Sequence, residues 1–198
     1  SKYLVDDKLL NLISRICARA FKNNTVKGNG TIRLISSPTP LGIHTHYDTI
    51  FDLCDKTIDI NDITGFVSAI IMGVIKDYAT SEKVPFIMSP SYFSNDIPQF
   101  LVFPTLRLGI TVSNKNHILP FEPTEKISVQ RFLSSDSALK SEKISTLVST
   151  ENRMLEKAVM CFYEGRDERF HANSLIYDYT NLEEAKASAD IFTEKLLN

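Results

Sequence analysis

Apolar side chains recur at helical spacing in four parts of the chain. Their positions predict helices over residues 6–21, 63–78, 149–163 and 182–197. The first helix opens on Asp6 and Asp7, two acidic residues that suit the positive end of a helix dipole. Asn181 is placed to cap the last helix, ahead of Glu183 and Glu184.

Shorter apolar runs between these helices predict β-strands. Strands are expected over residues 31–35, 41–45 and 84–88, a hairpin over 100–103 and 106–112, and a further strand candidate over 127–133. Residues 36–40 and the acidic stretch 52–61 are expected to be loops. The order of strand 41–45, helix 63–78 and strand 84–88 is that of a βαβ unit, which implies parallel strands with helices packed on the sheet.

The fold expected from these elements is an α/β, three-layer sandwich with a mixed, largely parallel central sheet flanked by helices. A chain of 198 residues has the size of one ordinary domain, and no shift in composition divides it. Residues 1–198 are therefore expected to form a single domain.

Composition narrows the range of partners. Lys and Arg number 22 against 24 Asp and Glu, so no positive excess attracts nucleic acid. The longest apolar runs are shorter than the ~20 residues that span a bilayer, so no membrane association is expected. Three cysteines at unrelated spacings suggest neither a disulfide framework nor a zinc knuckle, which favours a reducing, cytoplasmic location.

Histidine and aspartate cluster where the predicted strand 41–45 ends. His46 and Asp48 are two residues apart, so in an extended strand they would share a face. Loops at the carboxyl ends of parallel strands form the crevice where α/β proteins bind ligands, and imidazole with carboxylate suits zinc. Asp62, at the mouth of the next helix, could bridge two metal ions about 3.5 to 4 Å apart.

These residues resemble a known family. His46-Tyr47-Asp48-Thr49 resembles the HxDT signature of zinc exopeptidases, the di-zinc aminopeptidase clan, and residues 60–65, Ile-Asn-Asp-Ile-Thr-Gly, resemble the start of that clan's next helix. Residues 169–174 resemble its closing segment, which carries a late His. The resemblance implies a zinc-exopeptidase-like domain without an inserted lid domain, in which His46 and His171 bind zinc, Asp62 bridges two zinc ions and Asp48 supports His46.

The chain departs from that pattern at the catalytic base. Family members carry a Glu-Glu pair after the strand that follows the bridging Asp, whereas residues 91–96 contain no Glu. Asp96 is the acid within reach, so it is the candidate for both a metal ligand and the general base. The fourth ligand position has two candidates, His117 and Glu122, and neither lies in a motif.

Two functions follow as hypotheses. The first is metal-dependent hydrolysis of a peptide or amide bond by a zinc-bound water, with a peptide or small amide as substrate. The alternative is a catalytically inactive peptidase-like protein, a pseudoenzyme that serves as a binding or assembly subunit for a protein partner. Simpler roles compete for each residue: Asp48 as a turn residue, Asp62 as a helix cap, and His171 as a surface histidine.

Overall fold

Helices and strands alternate over most of the chain. The computed structural model describes residues 6–22, 24–92, 94–114, 117–132, 142–179 and 181–197. The helices are α1 (Asp6–Phe21), α2 (Tyr47–Leu53), α3 (Phe66–Ser81), α4 (Glu142–Tyr179) and α5 (Leu182–Leu197). The strands are β1 (Gly30–Ile32), β2 (Ser36–Thr39), β3 (Gly42–Thr45), β4 (Lys56–Asn61), β5 (Phe86–Ser91), β6 (Ser94–Phe103), β7 (Leu108–Ser113) and β8 (Glu125–Ser128).

The main sheet has six strands in the order β1-β5-β6-β7-β4-β8. Strand β6 runs antiparallel to both of its neighbours, and the other neighbouring pairs are parallel. This confirms the prediction of an α/β chain with a mixed, largely parallel sheet flanked by helices. The expected hairpin is present as β6 and β7, which are joined by a short 3-10 turn at Pro104–Leu106.

Helices cover both faces of this sheet. Ile58 and Ile60 of β4 point into a core that they share with the buried sides of α1 and α3. On the opposite face, Ile50 of α2 packs with Phe100 and Val102 of β6. Because successive side chains of a strand point to opposite faces, the sheet lies between these two layers. Full burial of each such side chain contributes about 1.5–3 kcal/mol.

The predicted βαβ unit is wrong in its first strand. Strand β3, expected to lead into the unit, pairs instead with β2 in a separate two-stranded hairpin, and β2 occupies part of a segment expected to be a loop. The strand before α3 is β4, which lies in the stretch expected to be an acidic loop. Ile58 and Ile60 alternate with the polar residues Asp59 and Asn61, as in a strand, but the three Asp of residues 52–61 made this stretch look like a loop.

Helix α4 is longer than predicted, whereas α5 covers the predicted residues 182–197. Helix α4 extends over 38 residues and passes through residues 164–179, where the resemblance to a peptidase closing segment would end the helix. These residues include no proline and one glycine, so nothing in them interrupts a helix. The cap on α5 is confirmed, since the Asn181 Oδ1 accepts a hydrogen bond from the Glu184 amide. Within the described residues, no helix has both the length and the apolar character required to cross a bilayer.

Candidate functional site

His46 and Asp48 do not share a strand face as expected. Strand β3 ends at Thr45, His46 is the residue before α2, and Asp48 lies in the first turn of that helix. Two residues correspond to about 200° of rotation around a helix, so the side chains diverge. Both are exposed, and the His46 ring makes an edge contact with the ring of His44, with 4.5 Å between the ring centroids.

Asp62 lies where the sequence places it, after a strand and before a helix, and it is 1% exposed. Its Oδ1 accepts hydrogen bonds from the Thr64 amide and hydroxyl at 2.9 and 2.8 Å. Its Oδ2 accepts one from the Ser68 amide in the first turn of α3, at 2.8 Å. The carboxylate therefore caps α3, and its negative charge lies at the positive end of the helix dipole.

The remaining predicted ligands lie on separate elements. Asp96 is exposed on β6, and His171 is exposed in the interior of α4. Within the part of the chain that the structure describes, no three His, Cys, Asp or Glu side chains are grouped so that they could hold a metal ion. Zinc sites in proteins use three or four protein ligands, so His46, Asp62, Asp96 and His171 do not fit a zinc centre in this arrangement. Zinc binding stays a prediction.

A cavity of about 380 Å³ opens where β5 and β7 end. This edge of the sheet is where α/β proteins usually bind ligands, and the volume is within the range of small-molecule pockets. The lining comes from the start of α3, from β6, from the segment after β7 and from α4, and includes Thr64, Ser68, Gln99, His117, Glu151 and Leu155. The cavity thus brings residues of α4 next to the segment that Asp62 caps.

His117 is a buried histidine in the wall of this cavity. Its ring is 5.3 Å from the ring of Phe100 and 6.0 Å from that of Tyr47, measured between centroids. Burial lowers the pKa of His117 to about 4, so the imidazole is neutral at pH 7. The sequence suggested His117 as a fourth metal ligand. It did not suggest Glu151, because the position of Glu151 at the cavity depends on the path of α4. Burial raises the pKa of Glu151.

A row of hydrogen-bonded polar groups, buried at Asp59 and Ser113 and half-buried at Asn61, links β4 and β7. The Asn61 side-chain amide donates to the Ser113 hydroxyl at 3.0 Å, and that hydroxyl donates to the Asp59 carboxylate at 2.8 Å. Burial raises the pKa of Asp59. These hydrogen bonds were not predicted, because Ser113 reaches Asp59 and Asn61 only through the parallel pairing of β4 with β7.

Helices α4 and α5 expose many apolar side chains. Helix α4 contacts β2 and β3, where Arg166 lines a small cavity with Ile43 and His44, and Glu151 and Leu155 line the larger cavity. From residue 161 to residue 177 every side chain of α4 is exposed except the half-buried Arg166. Residues 161–179 together with α5 form what we call the distal arm. Its large apolar side chains with high exposure are Phe162, Tyr163, Phe170, Leu175, Ile176, Tyr177, Ile191 and Phe192.

Comparison with known proteins identified no relative of this chain. No protein-family model, no characterised protein and no solved structure matches this chain. The resemblance to zinc exopeptidases therefore depends on the short motifs alone, and the function has to be argued from the geometry of the chain.

Proposed function

We propose that this chain is a catalytically inactive binding or assembly subunit that docks on a protein partner through the distal arm. The observation that carries the proposal is the exposure of the arm's apolar side chains. Phe170, for example, is 65% exposed, and no described side chain of α4 or α5 is buried. Many large apolar side chains exposed on one part of a folded protein favour an interaction site there.

The stability of isolated helices supports the same conclusion. A helix in water gains most of its stability from packing of its apolar face, and short helices without such packing are marginal. The distal arm contains about five turns of α4 and the 16 residues of α5, and no described side chain of either part is buried. Docking on a partner would supply the missing packing.

The positions of the predicted catalytic groups favour a binding function over hydrolysis. A metal-bound water needs at least three protein ligands around one ion. Asp48 and Asp96 are exposed on separate elements, and both carboxylate oxygens of Asp62 already accept hydrogen bonds from the start of α3. These positions suit a chain whose function does not require a reaction centre.

Site-specific photo-cross-linking tests the proposal. A benzophenone amino acid replaces Phe170 on the distal arm or, as a matched control, Phe51 on α2, which is also exposed. Irradiation in the cells that make the protein should yield a discrete protein adduct from position 170 and none from position 51. The adduct should disappear when Leu175 and Tyr177 are both changed to Ser. Absence of any adduct from position 170, or equal adducts from both positions, would contradict the proposal.

A further inference from the structure

We infer that the partner of the distal arm is a helical protein surface whose apolar strip is bordered by Lys and Arg. The inference rests on the proposed function and names the chemistry of the partner. Three properties of the arm support it: the spacing of its apolar side chains, the sign of its charge and the area that it exposes.

The spacing suits a helical partner. On α4 the exposed aromatic side chains Tyr163, Phe170 and Tyr177 recur every seven residues, and on α5 Ala185, Ala189 and Phe192 follow each other in steps of four and three residues. Such a repeat keeps one face of a helix turned toward a neighbouring helix.

The charge of the distal arm favours a basic partner over a second copy. Residues 161–198 contain eight Asp and Glu and four Lys and Arg, whereas residues 1–160 contain sixteen and eighteen. Pairing of two arms would bring two negatively charged surfaces together, and an anionic membrane would repel the arm as well. Lys and Arg along the rim of a partner would instead attract the arm's acidic residues, among them Glu164, Asp167 and Glu168.

The exposed area matches a stable protein interface. The eight large apolar side chains of the distal arm each expose on the order of 100 Å², about half of what a large aromatic side chain buries in a core. Together they present about 800 Å², the contribution of one partner to an interface of standard size. Protein partners of ordinary size can therefore cover the arm.

Peptide binding to the full chain tests this inference. Two fluorescent amphipathic peptides have the same Leu and Ala seam, and Lys borders the seam in one while Glu borders it in the other. Fluorescence anisotropy should give at least about tenfold tighter binding of the Lys-bordered peptide. Its affinity should fall as NaCl is raised from about 50 to 500 mM, because the attraction is screened.

Matched variants locate the binding. Changing both Phe162 and Phe170 to Ala should abolish binding, whereas changing the exposed body residues Leu34 and Phe51 to Ala should leave it unchanged. Changing Glu164 and Glu168 to Gln should reduce the preference for the Lys-bordered peptide. The same change at two exposed acids of the body, Asp77→Asn with Glu82→Gln, should not reduce it.

The other outcomes overturn the inference in separable ways. Equal binding of the two peptides, or tighter binding of the Glu-bordered one, would overturn the basic partner while a cross-link from position 170 still supports the proposed function. Arm-dependent dimers in sedimentation velocity would identify a second copy as the occupant. Binding to anionic vesicles in place of peptides would identify a membrane. Failure of both the peptides and the cross-link would remove the proposed function itself.

Discussion

Helices α3 and α4 contain similar apolar residues but differ in what covers them. In α3, Val67, Ile71, Met72 and Ile75 are fully buried against the sheet and α1. In the second half of α4, side chains such as Phe170 and Tyr177 are exposed. An apolar pattern therefore shows that a helix has side chains to bury, and the rest of the fold determines whether the same chain buries them. For the second half of α4, we propose that a partner buries them.

Substitution of one phenylalanine in each region should give the largest contrast. Phe103→Ala removes a ring that is fully buried between α1 and the sheet, and a cavity there should lower the free energy of unfolding by about 3–5 kcal/mol. Phe170→Ala removes a ring that covers little, so the change should be within about 0.5 kcal/mol. Urea unfolding followed by circular dichroism measures both. A comparable loss from the two variants would mean that the distal arm packs on the body.

The buried histidine of the cavity should make the stability of the body depend on pH. The folded-state pKa of His117 is about 4, below the ordinary value of 6.5, so the unfolded chain binds the extra proton. Above pH 6.5 the neutral His117 makes its full contribution to the free energy of unfolding. This contribution should fall by about 3 kcal/mol in total as the pH is lowered through 6.5 toward 4.

His117→Phe isolates this contribution. A phenyl ring keeps the ring contacts with Tyr47 and Phe100 and cannot titrate, and it loses only the 3.5 Å hydrogen bond between the Tyr47 hydroxyl and the His117 Nε2. Burial raises the pKa of Asp59. The contribution of Asp59 to the free energy of unfolding therefore falls as the pH rises, which is the opposite of the effect of His117. The difference in stability between the wild type and the variant, measured from pH 7 down to pH 4, is therefore the relevant quantity. A constant difference would show that His117 does not cause the dependence.

Removal of the cap on α3 should have a smaller effect, which also distinguishes the two roles suggested for Asp62. Asp62→Ala leaves the Ser68 amide and the Thr64 groups without their acceptor, and the free energy of unfolding should fall by about 2 kcal/mol. Because the loss comes from hydrogen bonds, it should be the same with and without a metal chelator. In a zinc site, chelation would destabilise the wild type and leave the variant unchanged. Asp62→Asn, which keeps one acceptor, should lose less.

Local pattern was enough to predict some of the fold but little of the candidate site. Helix α1 was predicted because its apolar side chains recur at helical spacing, and the β6–β7 hairpin was predicted because each strand contains a short apolar run. Strand β4 was missed because the three Asp of residues 52–61 make its segment look like a loop. His46 and Asp48 were misplaced because a motif of four residues does not show where a strand gives way to a helix. Glu151 reaches the cavity through the path of α4, which no local pattern encodes.

A pair of glycines provides the finest comparison between body and arm. Gly73 of α3 and Gly165 of α4 both lie inside helices, and a Cβ on either meets no atom within 4 Å. Alanine should therefore stabilise each helix by about 1 kcal/mol. Gly73→Ala should raise the global free energy of unfolding by that amount because α3 unfolds with the core. Gly165→Ala should increase helical circular dichroism and leave the global midpoint unchanged, because an exposed helix end opens on its own. Equal gains in global stability would mean that the distal arm unfolds with the body, and the contrast between the two regions would then be one of exposure alone.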